Sequence, residues 1–68
     1  MNPRDMARMW LKERAAELRK DAKRIAVAYT GGYMRDACLY VAQAYREAAG
    51  SLDHAADGLD HLRDREVR

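Results

Sequence analysis

The chain has one cysteine, one proline, one serine and no phenylalanine in 68 residues. Each scarcity closes a route. A single thiol, Cys38, cannot make an internal disulfide, and no Cys/His cluster has the spacing of a structural zinc site. The two common staples of a small domain are therefore missing. The only proline is Pro3, so none breaks a helix beyond the first turn. Ser51 is the sole serine, and no Ser-His-Asp arrangement forms around it. Gly31-Gly32 lacks the strand and the lysine of a phosphate-binding loop. No apolar run approaches the roughly 20 residues of a membrane span. A chain of this size has no deep pocket in which to raise a carboxylate pKa. The expectation is a protein without enzymatic activity, cofactor or metal. One thiol and no signal peptide point to a reducing cytoplasm and away from a membrane.

What the chain does have is alanine and charge. Charged residues make up 35% of it, and alanine is the best helix former. Such a composition with helical periodicity reads as long helices. The charge is divided unevenly: residues 1–35 hold nine Lys/Arg against four Asp/Glu, and residues 36–68 hold four against seven. Two helices of opposite net charge suit an antiparallel pair.

The predicted fold is all-α, a single hairpin domain over residues 1–68. Asn2 and Pro3 form a helix start, cap followed by first-turn proline. Helix 1 is expected over about 3–28, a turn over 29–32, and helix 2 over about 33–64. Gly50-Ser51 is a candidate break, with a separate third helix as the alternative. The apolar seam of helix 1 is Leu11, Ala15, Leu18, Ala22, Ile25 and Tyr29, spaced 4, 3, 4, 3, 4. In helix 2 the predicted seam is Met34, Ala37, Val41, Ala44 and Ala48, with Cys38 and Tyr45 beside it. It continues through Leu52, Ala55, Leu59 and Leu62 after a stutter at Ala48–Leu52. A single hairpin this short buries little surface, so pairing into a homodimeric four-helix bundle is expected.

Residues off the seams are the candidates for function. Trp10 lies at the edge of the helix 1 stripe, as rim packing or as a partner anchor. Arg14 is near it, placed for Glu17 or for a partner's carboxylate. Leu39 points away from the helix 2 seam, among Arg35, Asp36, Gln43 and Arg46. Tyr33 and Tyr40 lie seven apart on one flank. Tyrosine is favoured at interfaces, so these three read as contacts to a partner or to a second protomer. Arg8, Lys12, Arg19 and Lys23 form a basic stripe, a solvated face or a surface for phosphates. His54, Asp57 and His61 share a face with spacing too loose for the helical zinc motif.

The stretch WLKERAAELRKDAKRIAVAYTGGYMRDACLYVAQAYREAA resembles the quorum-sensing anti-activators of Mu-like Pseudomonas phages. The likeness covers about Met6 to Leu62 and lies in length, helix–glycine turn–helix plan and texture. It implies a dimeric helical phage protein that binds a host LuxR-type transcriptional activator and keeps it from DNA. It also implies inhibition of the ATPase that assembles type IV pili, and hence superinfection exclusion. The resemblance places regulator binding on Glu13 and Arg14, and the pilus ATPase contact on Tyr40. Two other readings stay open. One is an RNA- or DNA-binding bundle using Arg8, Lys12, Arg19 and Lys23, similar in architecture to the small RNA-binding protein of plasmid copy control. The other is an assembly adaptor of a phage or mobile element.

Overall fold

A computed structural model describes residues 2–61. The protein is a hairpin of two antiparallel helices, α1 (Pro3–Ala26) and α2 (Gly32–Gly58), ending in one 3-10 turn, Leu59–His61. Asn2 caps α1: its side-chain oxygen accepts from the Asp5 amide at 2.8 Å, and Pro3 fills the first turn. Asp5 sits at the positive end of the α1 dipole, and Lys23 and Arg24 at the negative end. α1 stops two residues short of the expected end. Val27 leaves the helical region, and the Ala28 amide donates to the Ile25 carbonyl at 3.2 Å. Five residues, 27–31, then reverse the chain. Gly31 is extended, while Gly32 has φ +76° and opens α2 in a conformation other residues rarely adopt.

α2 runs unbroken through Gly50 and Ser51. Of the expected helix 2, the α-helix ends at Gly58, residues 59–61 tighten into the 3-10 turn, and the stretch from Leu62 onward lies outside the described residues.

Ala15 and Ala22 of α1, and Ala42, Ala49 and Ala56 of α2, are the buried core, each with no exposed surface. They recur every seventh residue. Among the described residues no large side chain is fully buried. The larger apolar residues flank the alanines half-buried: Leu11, Leu18 and Ile25 on α1, and Cys38, Tyr45, Leu52 and Leu59 on α2. A methyl group at the point of contact lets two helix axes approach to the short end of the usual 8–10 Å range.

The α1 seam is thus Leu11–Ala15–Leu18–Ala22–Ile25, as its periodicity predicts. Tyr29 does not join it: it lies past the end of α1 and is 45% exposed. The α2 seam differs from the prediction. It is Cys38–Ala42–Tyr45–Ala49–Leu52–Ala56–Leu59, in steps of 4, 3, 4, 3, 4, 3 with no stutter. Met34 and Val41, placed in the seam by their hydrophobicity, are 45% and 43% exposed. Ala44, Ala48 and Ala55 are exposed too. The physical reason is volume along the whole helix: the line that α1 covers alternates Ala42, Ala49 and Ala56 with the larger Tyr45, Leu52 and Leu59, whereas the other line is small throughout its second half.

Two neighbouring substitutions test this core. Ala49→Leu forces the helices apart, with an expected loss of about 1–3 kcal/mol in urea unfolding. Gly50→Ala, where an added Cβ meets nothing within 4 Å, should stabilise the exposed side of α2 by about 0.5–1 kcal/mol.

Candidate partner-binding surface

The two long sides of the hairpin have different chemistry. On one side, α1 presents Arg8, Lys12 and Arg19, and α2 and the turn after it answer with Asp53, Asp57 and Asp60. Arg8 pairs with Asp60 and, at 3.0 Å, with Asp5 on its own helix. Lys12 lies 3.3 Å from Asp57 and 3.6 Å from Asp53. Arg19 reaches Asp53 from the other direction at 2.5 Å. These pairs set the antiparallel register, since the start of α1 meets the end of α2.

Asp53 is the hub. The hydrogen bond from Arg19, aided by the charges of Arg19 and Lys12 and opposed by partial desolvation, holds its carboxyl below the ordinary aspartate value. Each pair is solvent-accessible and individually weak. Together they select one register and discourage a slipped hairpin.

The basic stripe is therefore largely occupied. Three of its four members, Arg8, Lys12 and Arg19, face aspartates of the same chain. Lys23 is exposed in the last turn of α1. Asp57, which the sequence sets between His54 and His61, is turned to Lys12.

The other candidates fall into two patches. On α1, Trp10 is 67% exposed. Glu13 and Arg14 are exposed beside it. The Arg14 guanidinium pairs with Glu17 one turn on at 2.9 Å, the first of its two expected partners. On α2, Tyr33 and Tyr40 are 84% and 80% exposed, and Leu39 is 40% exposed. Asp36, Leu39, Tyr40 and Gln43 line a shallow open groove there. Gln43 donates to Glu47 at 3.3 Å on the same ridge.

One chain does not bring these patches together. Trp10 and Arg14 lie on the half of α1 that pairs with the end of α2, while Tyr33 and Tyr40 lie by the turn. At 1.5 Å per residue they are roughly 20–35 Å apart along the rod.

Sequence reasoning missed two features. One is the row Asp53, Asp57 and Asp60, for which the uneven charge of the two halves was the available signal. The other is the largely exposed line Met34–Ala37–Val41–Ala44–Ala48–Ala55, hidden because it was read as the core.

In comparisons with known proteins, no family model, curated protein or solved structure matches this chain. Among the described residues no helix is long and apolar enough to cross a membrane.

The Asp53 hub carries a pH prediction. A carboxyl held below its ordinary value contributes stability in full above about pH 4, where an unfolded aspartate ionises, and loses it as pH falls through the lower folded value. Denaturant midpoints at pH 7 and pH 3 should differ more for the wild type than for Asp53→Asn. Equal differences would remove Asp53 from that role.

Proposed function

We propose that this protein acts by binding: it is a homodimeric helical phage protein that occupies and inhibits a host regulatory protein. The observation that carries the reading is the ridge at the start of α2. Two tyrosines more than three-quarters exposed stand beside Leu39 and a shallow groove. Tyrosine buries a large area at small entropic cost and is enriched where binding energy concentrates. The shallow open grooves suit a protein surface better than a small molecule.

The class of target rests on the resemblance drawn from residues 10–49. It is a LuxR-type transcriptional activator met by Glu13, Arg14 and Trp10, with the type IV pilus assembly ATPase met by Tyr40, Tyr33 and Leu39. The separation of the two patches along the rod supports two targets on two surfaces. The setting is the host cytoplasm. Inhibition is by occupancy, so affinity and abundance set its strength.

The nucleic-acid alternative requires Arg8, Lys12 and Arg19 to exchange aspartates for phosphates. Those ion pairs favour the protein-binding reading.

The test is a titration of purified protein into an activator–operator complex, read by gel shift, with a parallel assay of pilus ATPase activity. Arg14→Ala should weaken release of the activator about tenfold or more, and Tyr40→Ala should do the same for ATPase inhibition. Circular dichroism should report an unchanged hairpin for both. A wild-type protein that binds neither target, and instead binds RNA or DNA with strong salt dependence, overturns the reading in favour of the basic stripe.

A further inference from the structure

α2 carries two heptad lines side by side. The first, Cys38 to Leu59, is closed by α1. The second is Met34, Ala37, Val41, Ala44, Ala48, Ser51 and Ala55, again in steps of 3, 4, 3, 4, 3, 4. It contains no charged residue, and every residue in it but the half-exposed Ala37 is exposed in the single chain. It lies on the flank away from the Asp53, Asp57 and Asp60 lattice.

We infer that this second line is the seam on which a second copy of the chain packs, α2 against α2 in antiparallel sense. This rests on the homodimer reading above and adds the face and orientation. Three observations select the occupant.

The first is pattern. Ala37, Ala44 and Ser51 repeat the seven-residue spacing of small side chains that already seats α1 on Ala42, Ala49 and Ala56. A line built this way admits another helix at close range.

The second is taper. The larger residues, Met34 and Val41, are in the first half of the line, and Ala48, Ser51 and Ala55 are in the second. A two-fold axis near its middle sets the large half of each protomer against the small half of the other. That is the self-complementarity an isologous interface needs.

The third is area. The chain exposes 5451 Å², where a compact monomer of 7.8 kDa exposes about 4,400 Å². The surplus of roughly 1,000 Å² belongs to the whole chain and its rod shape, and it leaves room for the approximately 800 Å² that each partner buries in a standard interface.

In this arrangement Leu39 lies off the interface and Tyr33 and Tyr40 stand at its rim. The dimer thus presents two copies of the proposed target ridge.

The experiment uses wild-type protein mixed from isotope-labelled and unlabelled chains, with isotope-filtered NOE spectra recorded for contacts between protomers. Methyl groups of Ala37, Val41, Ala44 and Ala48 should give those contacts. Sedimentation equilibrium of Ala48→Glu, whose site is exposed in the single chain and so compatible with folding, should give a dimer about 100-fold weaker than wild type. Arg46→Ala, at an exposed site of α2 away from the line, should sediment as wild type. Inter-protomer contacts from Leu39 or Trp10 in place of the line overturn the face and leave the homodimer standing. A wild-type chain that sediments as a monomer at every concentration overturns both.

Discussion

The structure depends on two backbones coming close along a line of alanines. Ala15 and Ala22 meet Ala42, Ala49 and Ala56, and among the described residues nothing larger is fully enclosed. A methyl group stabilises little by its own burial, so the benefit lies in what closeness allows. Leu11, Leu18, Ile25, Tyr45, Leu52 and Leu59 fold over the seam from both sides, and the arginines and lysine of α1 reach the aspartates of α2. The same closeness limits the core: two helices in contact cannot surround a leucine. The single hairpin is left with half-covered apolar residues, and this shortage drives the proposed pairing of chains.

The surface divides according to that constraint. One long side is laced by ion pairs centred on Asp53 and is closed to new business with phosphates unless those pairs open. The opposite side of α2 is uncharged and patterned like the seam already in use. The outer ridge by the turn carries exposed tyrosines, and the outer flank of α1 carries Trp10, Glu13 and Arg14. A protein with four such different faces on so short a chain suits work by contact. The proposed inhibitor reading assigns a task to two of the faces, the proposed dimer seam takes a third, and the ion pairs hold the fourth.

Much of the fold was legible in the residues. Asn2-Pro3, the Gly31-Gly32 turn and the spacing of Leu11, Ala15, Leu18, Ala22 and Ile25 state the hairpin directly. The phase of α2 was not legible by hydrophobicity, because both of its lines are apolar and Met34 and Val41 make the wrong one look richer. Volume along the whole length decides: Ala42, Ala49 and Ala56 alternate with Tyr45, Leu52 and Leu59, whereas the other line falls to Ala48, Ser51 and Ala55 in its second half. The unneeded stutter at Ala48–Leu52 was the sign that the phase was off by one line. The exposed candidates fared differently. Trp10, Tyr33 and Tyr40 were marked by being aromatic and off the seam. The occupied state of Arg8, Lys12 and Arg19 needed the register of the hairpin, which no local pattern contains.

The central claim is that one chain lacks a sufficient core and completes it with another copy. The most direct measurement is the thermal midpoint of the wild-type protein over a hundredfold range of concentration. Folding completed by pairing predicts a Tm that climbs with concentration, on the order of 5–10 °C across that range. A Tm that stays constant over the whole range would mean that the alanine seam of a single hairpin is enough, and would contradict the account.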